Sequence, residues 1–179
     1  SNYQDDYRPL IEYAKQKKMT VIAANIPRSI AGKMARTGPD FTDTLTEEDK
    51  KWLPDKIDYP DDSYKKAFLA TLEDMHSPMM NNNPDWLYQA QCLKDETMAE
   101  SIVNALKMKP KARVLHFNGD FHSRNFSGTV SRVQSILPNK KIAVISPSYS
   151  ENWQTANLTA EEKKSGTYII YLPLQGGEQ

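Results

Sequence analysis

Between residues 3 and 18 the apolar side chains fall at Tyr3, Tyr7, Leu10, Ile11 and Ala14, the spacing of one helix face. Pro9 restricts the first turns, so the helix proper is expected to start near it. Residues 19–24 (MTVIAA) form a short apolar run with β-branched members and read as a buried strand. Asn25-Ile26-Pro27-Arg28 follows, then a helix from about 29 to 37, closed by Gly38. Tyr64, Phe68, Leu72 and Met75 mark an amphipathic helix over 62–76, which residues 77–84 break. The longest helix, 85–108, carries Trp86, Ala90, Leu93, Thr97, Ile102, Ala105 and Leu106 as its expected core stripe, and Pro110 ends it. Residues 113–118 (RVLHFN) read as a second strand, 127–137 as a helix, 141–146 (KIAVIS) as a third strand and 167–173 (TYIIYLP) as a fourth. Strands alternating with helices predict an α/β fold, a mainly parallel sheet of about four strands flanked by helices. Four strands beside this much helix read as part of a larger sheet.

The 179 residues suit one domain, read here as 1–179. Hydrophobic residues make up 39%, enough for one core, and the 26% charged fraction is that of a globular rather than a disordered chain. Charge is unevenly placed. Residues 39–62 hold nine Asp/Glu against three Lys, net −6, and are expected to form an acidic loop or insert with a short helix starting near Thr46. Residues 107–141 hold eight Lys/Arg against one Asp, net +7, which is either a solvated face or a positive rim for an anionic ligand. The formal charge of the whole chain is zero, which argues against a nucleic-acid partner. No apolar run approaches the roughly 18 residues of a membrane span. The single Cys92 excludes an internal disulfide and a four-cysteine zinc site; mid-helix, without an activating neighbour, it reads as packing. Residues 174–179 read as a flexible tail. Ser1-Asn2 reads as a cloning remnant, and the chain as a trimmed or processed form of a longer one.

In open α/β sheets ligands bind beyond the carboxyl ends of the strands. Three such ends carry polar residues: Asn25 to Arg28, Asn118 to His122, and Ser146 to Tyr149. Arg28 offers a bidentate fork for a carboxylate or phosphate, or braces neighbouring carboxylates. Gly119 is expected to allow a tight turn that delivers His122, whose imidazole suits a metal, a haem iron or acid–base work. His116 lies inside the strand and reads as packed in the core. Gln91 and Asp95 are four apart on the long helix and share a face off the apolar stripe, either solvated or turned toward these loops. Met75 and His76, with Met79 and Met80 close behind, are soft donors at a helix end, weak candidates for a metal or haem iron against a gap-filling role. No G-x-S-x-G, G-x-x-x-x-G-K, G-x-G-x-x-G or H-E-x-x-H occurs, so serine-hydrolase, nucleotide-dependent and zincin readings lose support.

The stretches Asp6-Tyr7-Arg8-Pro9, VIAANIPR (21–28), AQCLKDETMAESI (90–102) and HFNGDFHS (116–123) together resemble the ChaN-like haem-binding uptake family, within the Tiki/TraB/erythromycin-esterase superfamily. The resemblance implies an α/β fold from a larger ChaN-like sheet and haem as cofactor. It also implies an extracytoplasmic role in bacterial iron uptake, often as a lipoprotein whose only membrane contact is its lipid anchor. Asn25, Arg28, Gln91, Asp95, Asn118, Gly119 and His122 become the expected ligand-binding set, for haem or another small planar anion. A second subunit covering the exposed face of a porphyrin would make a homodimer. Relatives carry two G-x-x-H motifs; Gly119 and His122 supply one, and the N-terminal one is not in this chain. The alternative the resemblance allows is a hydrolase or peptidase dependent on a divalent metal, with His122 as metal ligand or catalytic residue and Asp95 beside it.

Overall fold

The computed structural model describes residues 3–74 and 83–174. A π-helical turn over Tyr3–Tyr7 leads into α1 (Arg8–Gln16), with Pro9 in the first turn where its missing N–H costs nothing. α2 (Arg28–Thr37) starts behind Pro27 and stops at Gly38, whose φ of +69° lets its N–H return to the carbonyl of Met34. A 3₁₀ turn, Gly38–Thr44, follows, then α3 (Glu47–Lys50), capped by Thr46 Oγ1 accepting the Asp49 N–H at 3.1 Å. After α4 (Ser63–Asp74) comes α5 (Pro84–Met108), started by Asn83 Oδ1 accepting the Asp85 N–H at 2.9 Å. α6 is Thr129–Ile136, β1 Ile145–Ser150, α7 Glu162–Ser165 and β2 Tyr168–Pro173.

The core is built around α5. Ile30, Ala31 and Met34 of α2 meet Ala90 and Leu93 of α5, and Phe41 and Leu45 close the cluster from the acidic stretch. That stretch is packed in rather than hung outside. Leu53 and Ile57 join the same cluster, and carboxylates of α5 hold its backbone: Glu100 Oε2 accepts the Asp55 N–H at 2.8 Å and Glu96 Oε1 the Asp58 N–H at 3.3 Å. A second cluster is aromatic: Tyr64 and Phe68 of α4, Tyr88 of α5 and Phe121, with ring centroids 5.2–6.1 Å apart. Each such pair adds about 0.5–1.5 kcal/mol beyond area burial.

The helices fall where the spacing puts them, but the sheet is smaller than expected. Among the described residues it has two strands, β1 and β2, parallel, in register from Ile145↔Tyr168 to Ser150↔Pro173. β1 therefore runs from 145, later than the predicted 141–146, because its extent is set by where β2 supplies a backbone. Residues 20–24 and 113–118 have no regular secondary structure and make no backbone–backbone hydrogen bond among the described residues. Their apolar side chains, Val21, Ile22, Val114, Leu115 and Phe117, are exposed rather than buried. An extended run becomes a strand only when a second backbone lies beside it.

Glu162 fastens β1 to β2. Its carboxylate accepts from Ser148 Oγ on β1, from Tyr171 OH on β2 at 3.2 Å and from the Thr159 N–H at 2.8 Å, while Thr159 Oγ1 accepts the Glu162 N–H at 3.1 Å, a reciprocal cap. Ser148 and Tyr171 are register partners, so one carboxylate clamps one rung of the ladder. These hydrogen bonds, Ser148's foremost, hold the carboxyl near a pKa of about 2, below its ordinary 4.5. A depressed carboxylate pKa stabilises the fold above the unfolded value, and that contribution disappears as pH falls from 4.5 toward 2. Urea midpoints measured down this range should fall in the native chain more steeply than in Glu162→Gln, with the two curves converging at the acid end.

Candidate functional site

α5 carries two polar residues one turn apart that are almost wholly buried: Gln91, 7% exposed, and Asp95, 0%. The polar strip that lay off the apolar stripe is thus covered, by α6 and by the loop after residue 118. An unpartnered carboxylate at full burial would cost several kcal/mol, and Asp95 has three donors. Oδ1 accepts from His122 Nδ1 at 2.8 Å and from Thr129 Oγ1 at 2.9 Å; Oδ2 accepts from Tyr64 OH at 2.6 Å. Tyr64 OH in turn accepts from Gln91 Nε2 at 3.2 Å. Burial, with Asp95 beside it, pushes the Tyr64 phenol well above its ordinary pKa, so it stays a donor.

This network assigns the histidine tautomer. Asp95 Oδ1 accepts at 2.8 Å from Nδ1, which calls for the proton there, and the Gln91 amide nitrogen lies 3.1 Å from Nδ1 and 3.4 Å from Nε2. An imidazole oriented through Nδ1 can use its Nε2 to ligate a metal or haem iron, or to exchange a proton.

The local sequence explains the placement. Phe121 packs on Tyr64 and Phe68, which presses the next residue, His122, onto Asp95. Asn118 Nδ2 donates to the Gly119 carbonyl at 2.7 Å and to Ser123 Oγ at 3.2 Å, and the His122 N–H reaches the Gly119 carbonyl at 2.9 Å. Ser146 Oγ donates to Asp120 Oδ1 at 2.6 Å, tying the turn to β1. The chain must then reverse, because Thr129, seven positions on, binds the same oxygen as His122. The reversal uses left-handed backbone at Asn125, Phe126 and Gly128 (φ 59°, 57° and 55°).

The glycine that the site requires is Gly128, not Gly119. Gly119 has φ −63°, open to any residue, and a Cβ there would come no nearer than 3.9 Å to His122 Cδ2. A Cβ at Gly128 would lie 2.6 Å from the His122 carbonyl oxygen and 3.0 Å from both Asp95 Oδ1 and Tyr64 OH. Sequence spacing singled out the G-x-x-H glycine, but three-dimensional approach selects the one at the α6 start.

The remaining expected residues divide. Asn25 is exposed and uses its Oδ1 on the Ile26 N–H at 2.8 Å, shaping its own turn. Arg28 is exposed at the start of α2, and half-buried Lys94 of α5 feels its charge. His116 is half-buried, and its Nε2 is fully buried with no hydrogen-bond partner among the described residues. Burial, then the neighbouring His122, lowers its pKa. Cys92 is packed as expected, its thiol pushed up to about 11 by burial. Met75 and His76 lie outside the described residues. Among those described, no group of three or more His, Cys, Asp or Glu is arranged to hold a metal ion. Tyr64, Lys94, Gly128 and Thr129 were not legible as site residues: Tyr64 and Thr129 lie 31 and 34 positions from Asp95 and match ordinary helix positions.

The family model described as "Haem-binding uptake, Tiki superfamily, ChaN" matches residues 1–133, which include every residue of this network. No curated protein and no solved structure matches the chain.

Two outcomes follow from the network. Asp95→Asn puts an amide donor against groups that already donate, and should cost about 2–4 kcal/mol in urea unfolding; long-range ¹H–¹⁵N spectra should show His122 losing its single Nδ1–H tautomer. Gly128→Ala should cost at least about 2 kcal/mol, whereas Gly119→Ala should stay within about 0.5 kcal/mol.

Proposed function

Since the chain belongs to the haem-binding uptake, ChaN family of the Tiki superfamily, we propose that it holds haem during extracytoplasmic iron acquisition, at the edge where α5 meets the 25–28 and 118–122 loops. The observation that carries this reading is the pair of histidines. His122 has its tautomer set by Asp95, and neighbouring His116 has a buried Nε2 without a partner. A buried imidazole nitrogen left unpaired is costly, and a ligand that reaches it removes the cost. Two cations whose charges act on each other, Arg28 and Lys94, suit an anionic ligand. Haem, when bound, would supply the iron and the planar apolar face. His122, His116 and the two cations are the residues of this chain that would meet it. In the cell the protein would be extracytoplasmic and lipid-anchored in its precursor; no described helix is long and apolar enough to cross a membrane.

The Asp95–His122 hydrogen bond also favours a second reading, a hydrolase dependent on a divalent metal, with Asp95 fixing the histidine that binds the metal or moves the proton. Elemental analysis after expression in zinc- and manganese-supplemented medium separates the two; a stoichiometric divalent metal with no haem uptake would select the hydrolase.

The direct test is a haemin titration followed at the Soret band. A saturable, stoichiometric shift is expected, weakened about tenfold or more in His116→Ala and His122→Ala. A linear, non-saturating change equal in all three proteins would exclude the haem reading.

A further inference from the structure

Two basic runs meet at one end of the molecule, and apolar side chains stand exposed among them. Residues 15–18 hold three Lys and residues 107–113 three Lys and one Arg, with no Asp or Glu in either run. All seven cations are exposed, and among the described residues the one ion pair they make is Lys15 with Glu12, at 4.0 Å. Lys109 Nζ donates to Thr20 Oγ1 at 3.3 Å, which sets the end of α5 against the chain leaving α1. Lys140 Nζ reaches the Pro110 carbonyl at 3.3 Å and adds another cation to the same end.

The apolar component lies in the same place. The chain reverses after α1 through left-handed backbone at Lys18 (φ 53°), and the Met19 N–H returns to the Ala14 carbonyl at 2.8 Å. Met19 therefore sits back against the last turn of the helix. Tyr13, Met19 and Met108 are 58%, 56% and 74% exposed. Lys17 Nζ lies 5.7 Å from the Tyr13 ring centroid, so a ring and an ammonium are presented together. α1 buries none of its residues, although Leu10, Ile11 and Ala14 share one face.

A soluble polyanion would satisfy the charges and leave the methionines and the tyrosine in water. An anionic bilayer satisfies both. The ammonium groups reach the headgroup phosphates, while Tyr13, Met19, Met108 and the lysine stems enter the interface. We propose that this end of the molecule is a docking surface for a membrane carrying anionic lipid, acting independently of haem and of any lipid anchor. The surface also sets an orientation. Lys109 lies fourteen residues beyond Asp95 along α5, about 20 Å at the helical rise, so the docked protein holds its candidate site clear of the bilayer.

Sedimentation of the chain with phosphatidylcholine vesicles, with and without about 30% phosphatidylglycerol, tests this. The chain should pellet with the anionic vesicles only, and about 0.5 M NaCl should release it. Lys17→Glu combined with Lys109→Glu should weaken binding about tenfold or more. Lys163→Glu, an exposed position on α7 outside both runs, should bind as the native chain does. Met19→Ser combined with Met108→Ser should weaken vesicle binding about threefold or more and leave binding to soluble polyphosphate unchanged. All these positions are exposed, so circular dichroism should show an unaltered fold in each variant. No binding to anionic vesicles, or binding that the lysine reversals leave intact, would overturn the proposal. So would vesicle binding that the methionine changes leave intact and that polyphosphate competes away, the result expected of a plain polyanion site.

Discussion

The carboxylate of Asp95 is the point on which the rest of this structure depends. It is wholly buried, and its three donors come from α4, from the loop after residue 118 and from α6. Hydrogen bonds to a charged group contribute about 1.5–3 kcal/mol each, enough together to offset several kcal/mol of desolvation. Remove the carboxylate and three elements lose the atom that fixes their distance from α5. The apolar packing agrees with the polar bonding. The Tyr64 ring that brings one donor also packs on Phe121, whose chain neighbour His122 brings another. Two kinds of interaction specify one arrangement, which is how a buried polar network specifies a single structure rather than merely costing energy.

The charge runs of the sequence do not map directly onto this site. The acidic 39–62 stretch is folded into the α2–α5 core through Phe41 and Leu45, and its backbone is held by Glu96 and Glu100. The basic 107–141 run gives up members to internal bonds: Arg132 Nε to Glu96 at 2.8 Å and Nη1 to the Gly128 carbonyl at 3.0 Å, and Arg124 Nη1 to Asp120 Oδ2 at 3.1 Å. The two cations that would suit an anionic ligand, Arg28 and Lys94, come from outside that run. Net charge per segment measures composition, while ligand recognition depends on which charges the fold leaves unneutralised.

What the sequence made legible follows from the range of the interaction. Helix positions rest on local periodicity and caps, and Thr46, Asn83 and Gly38 mark their boundaries as their chemistry requires. Gln91 and Asp95 are a local pair, and their shared face was readable; that it is buried depends on α6, and was not. Strands depend on a partner backbone, so 19–24 and 113–118 have strand composition without a ladder. Gly119 was visible through its motif, but Gly128 matters because His122, Asp95 and Tyr64 crowd it in space, and no spacing rule encodes that.

Those unladdered segments also give the site two different clocks. Asn25 and Arg28 follow residues 20–24, whose amides have no backbone acceptor among the described residues, so the approach to that half of the site opens through small local fluctuations. His122 also follows an unladdered stretch, but the Asp95 bond, the Phe121 packing and the turn at Gly128 hold it from the other side, and releasing it means disturbing the core. One flank of the site can therefore adjust on the timescale of loop motion, while the imidazole opposite moves only as fast as α5 and α6 separate.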